Sequence, residues 1–286
     1  MGLRFLIWGG NGWIGSMLRE LLEADDHTVI VAKSRLQDLI GICRELKEIK
    51  PDFVLNCAGL TGKPTIDFLE DHKQETYLIN TIGTVNLAHA CWEARIHMTN
   101  YATGCIYAYD ETHPMGTKFT ELDPPNFQGS TYSCSKIKAE DLLSMYDNVL
   151  TLRIRLPVSA DMHPKNLIAK LSKYGRVVNI PNSVTILPEM LPISIKMTMA
   201  RCKGIYNFTN PGVMTWNELL MLYKKYIKED HKWENFTEEE QNAVLRSKRS
   251  NCELDVGKLQ AFHPVTDIHE ALEKVMKEIA LKMKEV

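Results

Sequence analysis

The residues Arg4-Phe5-Leu6-Ile7-Trp8-Gly9-Gly10-Asn11-Gly12-Trp13-Ile14-Gly15 decide the fold of this chain. Phe5 to Trp8 form an unbroken apolar run, as in a parallel strand that is covered on both faces. Glycines recur at positions 9, 12 and 15, and helical periodicity follows from Met17 to Leu22. A glycine-rich turn between strand and helix is typical of dinucleotide sites, because the backbone can approach a pyrophosphate there. The alternative is an ordinary tight strand–helix turn.

Cofactor contacts are therefore predicted within this turn, at Gly9, Asn11, Gly12, Trp13 and Ile14. A second set is predicted after the next strand, His27 to Ala32, where the chain continues Lys33-Ser34-Arg35. Sites that prefer NAD usually carry an acidic residue at this point. Two cations and a hydroxyl suit a 2′-phosphate instead, which favours NADPH. The alternative is a solvated basic turn.

The third strand, Phe53 to Asn56, ends in Cys57-Ala58-Gly59, whose small residues let the backbone pass close under a cofactor. The loop Thr61-Gly62-Lys63-Pro64 follows, and then Asp67. Ligands in open α/β sheets bind beyond the carboxyl ends of the strands, so this loop is a predicted ligand site.

Alternating strands and helices predict an α/β fold, a Rossmann-type doubly wound parallel sheet with a smaller C-terminal substrate-binding lobe. We expect residues 1–157 to form the NADP-binding domain and 158–286 the lobe, interleaved with the sheet at an approximate boundary. The remaining predicted strands are His97–Tyr101, Val149–Arg155, Val177–Ile180 and Gly204–Phe208. The remaining predicted helices are Leu36–Ile49, Thr131–Tyr146, Lys165–Tyr174, Met214–Tyr226 with Thr215 as N-cap, and Asp267–Lys284.

Four residues between positions 101 and 136 are candidates for chemistry. Tyr132 and Lys136 are four positions apart on a predicted helix, so their side chains share one face. A nearby ammonium group would favour loss of the tyrosine proton, which makes Tyr132 a candidate general acid. Thr103 could donate a second hydrogen bond to the same oxygen, and Cys105 would face the same space. A Tyr-x-x-x-Lys pattern alone also arises by chance on surface helices.

The composition narrows the class of partner. A formal net charge of −2 gives no indication of a nucleic-acid or anionic-membrane partner. No apolar run approaches the length of a membrane span, and seven cysteines are scattered without metal-ligand spacing. We therefore expect a cytoplasmic protein with reduced thiols, no metal, no nucleic acid and no membrane.

The chain resembles the extended short-chain dehydrogenase/reductase family over nearly its whole length. The matching residues are Gly9, Gly12, Gly15, Asn56-Cys57-Ala58-Gly59, Asn80, Thr103, Tyr132, Lys136, Arg155 and Pro157. Within that family it looks most like the nucleotide-rhamnose synthase and epimerase-reductase group. The stretches that carry this closer likeness are 59–64, 100–106, 125–127, 180–187, 204–212 and 249–255.

The resemblance implies a 3,5-epimerase and 4-reductase that converts UDP- or dTDP-4-keto-6-deoxy-glucose to the L-rhamnose nucleotide with NADPH. Asn80 and Pro157 would contact the cofactor, and Thr61, Gly62, Thr103, Cys105, Asn182 and Arg249 the substrate. A thiol suits proton transfer at carbon, so Cys105 is the first epimerase candidate. The group's lysine on the opposite ring face falls on Lys170. A buried packing role for Cys105 and a solvated helix face for Lys170 are the alternatives.

The same resemblance implies a homodimer formed through two long helices. Gly104-Cys105 stands where related dehydratases have Asp-Glu, so we expect a separate 4,6-dehydratase to supply the substrate. Two other functions stay open at this point. One is a 4-keto-reductase without epimerase activity, acting on a dTDP-sugar, and the other is a non-catalytic NADP-binding regulatory subunit.

Overall fold

The structure, a computed structural model, describes residues 2–62 and 65–284. Lys63 and Pro64 of the predicted ligand loop lie outside the described residues. The strands are β1 (Arg4–Trp8), β2 (Thr28–Val31), β3 (Phe53–Asn56), β4 (His97–Thr103), β5 (Lys118–Phe119), β6 (Val149–Ile154), β7 (Arg176–Val177), β8 (Gly204–Asn207), β9 (Glu234–Asn235) and β10 (Glu253–Leu254).

The helices surround this framework. They are α1 (Trp13–Ala24), α2 (Leu39–Ile49), α3 (Lys73–Tyr77), α4 (Thr84–Glu93), α5 (Thr131–Leu143), α6 (Leu167–Leu171), α7 (Leu187–Met199), α8 (Trp216–Tyr226), α9 (Glu238–Val244), α10 (Gly257–Phe262) and α11 (Ile268–Lys282). Ile66–Glu70 is a 3₁₀ helix, and the π-helical turn Leu78–Gly83 joins α3 to α4.

Six strands form one sheet in the order β2-β1-β3-β4-β6-β8, and every pairing in it is parallel. This confirms the predicted Rossmann-type sheet. The strand order reverses direction between β1 and β3, which opens a crevice at their carboxyl ends. β8 belongs to the second half of the chain yet completes the sheet, as the predicted interleaving requires. The division at residue 157 stays a prediction.

Helix α7 has no counterpart in the sequence prediction. Pro188 lies in its first turn and Pro192 inside it, and an interior proline normally indicates a helix break. Burial against the sheet holds the helix together. Its Ser194 hydroxyl pairs with Tyr101 Oη at 2.7 Å, and Thr198 Oγ1 pairs with Thr99 Oγ1 at 2.7 Å. Tertiary packing therefore overrides the local proline signal.

Several boundaries differ from the predicted ones for local reasons. α1 begins at Trp13, four residues before the predicted periodicity, because Gly12 forms the N-cap directly. α6 is shorter than predicted. It begins only after Asn166, because Asn166 is the N-cap and accepts a bond from Ile168 N at 3.1 Å. The predicted N-cap Thr215 is confirmed and forms a capping box with Glu218.

A second apolar core lies within the C-terminal lobe. It joins α6, α8 and α11, with Ile168, Leu219 and Leu272 fully buried among its members. This core positions the loops that face the crevice of the sheet. Of the helices in the described ranges, none combines the length and apolar character that crossing a membrane requires.

Candidate active site

The glycine-rich turn lies hard against the end of β3. Gly9 has φ +76°, and a Cβ there would lie 2.7 Å from Ala58 N and 2.7 Å from the Cys57 carbonyl carbon. Only glycine fits both the backbone conformation and the space. Gly12 N donates to Gly9 O at 2.9 Å, and no side chain caps α1. The first N–H groups of α1 are therefore available to a pyrophosphate.

Gly59 forms the floor of a small polar cradle. A Cβ at Gly59 would lie 3.3 Å from both Asn80 Oδ1 and Lys136 Nζ. Asn80 accepts from Leu60 N at 2.7 Å and donates to Leu60 O at 2.9 Å, so it fixes the loop after β3. Asn80 belongs to the π-helical turn, a local helix form that is frequent at functional sites. A ribose hydroxyl suits this combination of amide, ammonium and bare backbone.

The segment Lys33–Arg35, predicted to bind a 2′-phosphate, is hydrogen-bonded to a carboxylate. Glu45 on α2 accepts from Lys33 N at 2.7 Å, from Ser34 N at 2.9 Å and from the Ser34 hydroxyl. Lys33 and Arg35 keep exposed side chains. Burial works against ionisation of Glu45, but these bonds and the charge of Lys33 lower its pKa overall. The acidic group near this cofactor position thus comes from α2, which the sequence pattern did not reveal.

Thr103, Cys105 and Tyr132 meet at the carboxyl end of β4. The Thr103 hydroxyl and Cys105 both lie close enough to Tyr132 to change its pKa, Thr103 lowering it and Cys105 raising it. Cys105 N donates to Thr103 Oγ1 at 3.1 Å. Ser133 Oγ donates to Cys105 O at 2.7 Å and so ties α5 to this loop. The prediction named Thr103, Cys105 and Tyr132 but not Ser133.

The electrostatics of this group depend mainly on burial. Burial is the largest influence and raises the pKa of Tyr132 well above its ordinary value, with Cys105 acting in the same direction. The nearby Thr103 hydroxyl acts in the opposite direction and lowers the pKa of Tyr132. Burial instead lowers the pKa of Lys136 to about 8. The expected activation of Tyr132 by the lysine stays a prediction, and the raised pKa of the phenol makes it a proton donor at neutral pH.

Lys170 is the exposed residue of α6, whose other residues are buried, and it lies within electrostatic range of Cys105. Partial desolvation lowers the pKa of the Lys170 ammonium, and the cations Lys165 and Arg249 lower it further. A charge on Cys105 acts in the opposite direction. The predicted pair of proton carriers is thus close enough to interact, which the sequence separation of 65 positions could not indicate.

Asn182 is fully buried and its amide is used inside the protein. Its Oδ1 accepts from Arg155 Nη2 and from Cys252 N at 3.2 Å, and its Nδ2 donates to Ile180 O at 3.1 Å and Asn251 Oδ1 at 3.0 Å. These four bonds exhaust the hydrogen-bonding capacity of an amide. Substrate contact by Asn182 stays a prediction, and it requires one of these bonds to open.

Arg249 forms an ion pair with Asp67, with Nη1 3.2 Å from Oδ1. Arg249 also donates to Ser247 O at 2.7 Å. Ser250, beside it, accepts from buried Arg155 Nη1 at 2.8 Å through its hydroxyl. The segment 246–251 is therefore held between Asp67 on one side and the buried Arg155 on the other. Neither Arg155 nor Asp67 was predicted to hold this segment.

The other predicted cofactor residues lie around the same crevice. Asn11 is exposed, and Pro157 O accepts from Leu167 N at 3.2 Å. Trp13 is nearly buried. Its indole donates to Asp161 Oδ2 at 3.0 Å and stacks on His163 at 5.2 Å. Its side chain thus connects the glycine turn to the second lobe, and Trp13 and Ile14 can meet a cofactor through their backbone.

Comparison with known proteins identifies the family. The model of the RmlD substrate binding domain matches residues 3–281. The chain belongs to the RmlD substrate-binding domain family. This confirms the resemblance to rhamnose-forming proteins, and it agrees with an oxidoreductase.

Two plant proteins of this family are close relatives. A bifunctional dTDP-4-dehydrorhamnose 3,5-epimerase/dTDP-4-dehydrorhamnose reductase of Arabidopsis thaliana is 49% identical, over 94% of this chain and 91% of that protein. A trifunctional UDP-glucose 4,6-dehydratase/3,5-epimerase/reductase of the same plant is 49% identical over 95% of this chain. The chain spans 41% of the length of that trifunctional relative.

Solved structures of RmlD-family relatives agree. The L780 UDP-rhamnose synthase from Acanthamoeba polyphaga mimivirus superposes with a TM-score of 0.93 at 40% identity, over 97% of this chain and 100% of that chain. A dTDP-4-dehydrorhamnose reductase from Bacillus anthracis, solved in complex with NADP, has a TM-score of 0.83 at 20% identity, over 97% and 100%. The latter shares the fold and carries the predicted type of cofactor.

Proposed function

We propose that this protein uses NADPH to convert UDP-4-keto-6-deoxy-D-glucose to UDP-L-rhamnose, as a combined 3,5-epimerase and 4-keto-reductase. The observation that carries the proposal is the meeting of Tyr132, Thr103 and Cys105 at the end of β4, where Thr103 and Cys105 both lie close enough to Tyr132 to change its pKa. This arrangement offers two donors to one carbonyl oxygen and a thiol next to it. The polar cradle of Gly59, Asn80 and Lys136 fits a nicotinamide ribose.

In reduction, the phenol of Tyr132 gives its proton to the C4 oxygen. Its raised pKa keeps the proton in place until charge develops on that oxygen. Thr103 donates a second hydrogen bond and stabilises the same charge. Bound NADPH supplies the hydride. Lys136 holds the ribose and, with a pKa of about 8, can pass a proton toward Tyr132 near neutral pH.

Epimerisation uses the acidity of the carbons beside the C4 ketone. The hydrogens at C3 and C5 become acidic once Tyr132 and Thr103 stabilise the enolate oxygen. Cys105 exchanges a proton with one face of the ring and Lys170 with the other. The lowered pKa of Lys170 supports this role, because a neutral amine can accept a proton. Inversion precedes reduction, since reduction of the ketone removes that acidity.

One alternative retains support from the structure. The exposure of Lys170 fits a solvated helix face as well as a proton carrier. A reductase without epimerase activity, acting on a dTDP-sugar, would need Tyr132, Thr103 and Lys136 but not Lys170. A regulatory NADP-binding subunit is less well supported, because it would need none of the three.

The test is incubation with NADPH and UDP-4-keto-6-deoxy-glucose, followed by identification of the sugar by NMR. We expect UDP-L-rhamnose, with solvent deuterium at C3 and C5. A 6-deoxy sugar with unchanged C3 and C5 would leave only the reductase. Oxidation of NADPH with the dTDP-sugar alone would reverse the nucleotide assignment, and binding of NADPH without turnover of either sugar would favour the regulatory subunit.

We also propose a homodimer through the helices that flank the catalytic crevice. Leu78, Ile82 and Trp92 are exposed along one stripe of the α3–α4 helix, and Leu142 and Met145 are exposed at the end of α5. Apolar side chains in such a stripe are typical of a subunit interface. Sedimentation analysis of Ile82→Lys should then show monomers. A 4,6-dehydratase would supply the substrate to a cytoplasmic enzyme, with no nucleic acid or membrane as partner.

A further inference from the structure

Glu70 joins two parts of the site that are far apart in the sequence. Thr131 N donates to Glu70 Oε1 at 2.8 Å, and the Thr131 hydroxyl donates to Oε2 at 2.7 Å. Ser247 Oγ donates to the same Oε1 at 3.0 Å. Thr131 is the first residue of α5 and directly precedes Tyr132. One carboxylate therefore contacts both the start of the catalytic helix and the segment 246–251.

The neighbours of Glu70 hold that same segment. Asp67 accepts from Ser247 N at 3.1 Å and pairs with Arg249, and Asp71 forms a bidentate pair with Arg246 at 2.6 and 2.8 Å. The short helix Ile66–Glu70 and the residue after it thus fix the segment that carries the predicted substrate contact. Among these three carboxylates, Glu70 is the one whose described bonds also reach α5.

The contact to α5 is not needed simply to cap the helix. Ser130 is already the N-cap, and its hydroxyl accepts from Ser133 N at 3.1 Å. A carboxylate near a helix N-terminus is stabilised by the helix dipole, and its bonds to neutral donors are stronger than uncharged ones. Glu70 therefore adds a directed, charged link from outside the helix at the residue beside Tyr132.

We propose that Glu70 is a positioning residue that couples the segment 246–251 to Tyr132, so that the phenol and this segment are held in one fixed arrangement. The inference rests on the proposed function, because that function gives Tyr132 its catalytic role. The role of Glu70 needs no contact with the cofactor or the sugar. It acts through Thr131 on one side and through Ser247 on the other.

The experiment is a double-mutant cycle of Glu70→Ala and Ser247→Ala, with the reduction followed by NADPH oxidation. We expect Glu70→Ala to lower kcat about tenfold, while KM and the NADPH dissociation constant change less than about twofold. Ser247→Ala should lower kcat in the native background but have no further effect with Glu70→Ala, because both remove the same link. Glu70→Gln, which keeps one acceptor oxygen, should recover part of the rate.

Glu75→Ala is the matched control, since Glu75 is an exposed carboxylate nearby with no hydrogen bond or ion pair within the described part of the chain. It should leave kcat unchanged. Additive effects of Glu70→Ala and Ser247→Ala would overturn the coupling, as would a native kcat in Glu70→Ala. If Glu70→Ala does not fold, Glu70→Gln with Ser247→Ala completes the same cycle.

Hydrogen exchange separates this proposal from the proposed function. In the free protein, Glu70→Ala should raise amide exchange at 131–133 and at 246–249 together, and Glu75→Ala should raise neither. If the native protein fails to turn over the keto-sugar but this joint change occurs, the link stands and the function fails. If the native protein is active and exchange rises at only one of the two segments, the coupling fails.

Discussion

The groups proposed for hydride transfer differ in burial from Lys170, one of the two groups proposed for proton transfer at carbon. Thr103 and Lys136 are buried, Thr103 Oγ1 accepts from Cys105 N at 3.1 Å, and Asn80 holds the loop after β3 through Leu60. Lys170 is exposed on a helix of five residues. Hydride transfer to one carbon needs a fixed geometry, whereas epimerisation must reach two carbons in turn. Under the proposed function, the buried part of the site would determine the reduction, and the part that includes exposed Lys170 would determine the stereochemistry.

Loss of the Tyr132 hydroxyl should have the largest effect, because it removes the proton donor from the groups proposed for reduction. Tyr132→Phe removes the proton donor to O4, and kcat for reduction should fall by about a hundredfold or more. The dissociation constant for NADPH, measured by fluorescence titration, should stay native, since the glycine turn holds the pyrophosphate. Tyr109→Phe is a control with the same chemical change outside this set. Near-native turnover in Tyr132→Phe would refute the mechanism.

Substitution of the Cys105 thiol tests the groups proposed for epimerisation. Cys105→Ala should lower deuterium incorporation at C3, C5 or both by on the order of tenfold, because the proton carrier is gone. Lys170→Met is the companion, and Lys173→Met on the same surface is its control. Mass and NMR analysis of the product gives the result.

Residual reduction in Cys105→Ala should yield a 6-deoxy sugar other than rhamnose. Rhamnose with full deuterium at both carbons would show that Cys105 only packs. Another residue of the crevice would then have to carry the proton.

Cofactor preference depends on a contact at the edge of the predicted cofactor site, outside both parts of this comparison. Arg35→Ala should reduce the preference for NADPH over NADH by about 1.5–3 kcal/mol, the worth of a charge-assisted bond to the 2′-phosphate. Lys47→Ala, another exposed cation of this region, should leave the ratio of kcat/KM values unchanged. An unchanged ratio in Arg35→Ala would show that Lys33 or Ser34 carries the selection.

Lys136 should also make protein stability depend on pH, which is a separate effect from those on the reaction. Burial lowers its pKa to about 8 from 10.5, so the unfolded chain binds more protons between these values. The free energy of unfolding should therefore rise with pH, by about 2 kcal/mol between pH 8 and 10 from this residue. Denaturant titrations of Lys136→Met should lack this component, and exposed Lys138→Met should keep it. Equal slopes in native protein and Lys136→Met would refute the burial argument.

The fold was predictable because its signals are local. The apolar run of β1 and the glycine turn occupy adjacent residues. The alternation of polar and apolar residues in α11 can likewise be read from one short stretch of sequence. α7 was not predictable, because Pro192 gives a break signal that only burial against the sheet overrides. The division of the chain at residue 157 is likewise not a local property, since β8 returns to the sheet.

The site divides in the same way. Tyr132 and Lys136 are one helical turn apart, so their motif is visible in the sequence. The contacts that shape the crevice join Asp67 to Arg249 and Glu70 to Ser247 across roughly two thirds of the chain. Glu45 also had no local signal, because it reaches the cofactor segment from the middle of α2. The predicted roles of Asn182 and Lys170 remain predictions, since they depend on a bound substrate.

The π-helical turn Leu78–Gly83 determines the direction in which the side chains of α4 point about the helix axis. A π turn holds one more residue than an α turn, so deleting one residue there would restore a regular helix. Every later side chain of α4 would then rotate by about 100° about the helix axis. Asn80 would leave the loop after β3, and Trp92 would leave its stripe. A single-residue deletion in this turn would thus change the cofactor cradle and the proposed dimer surface together.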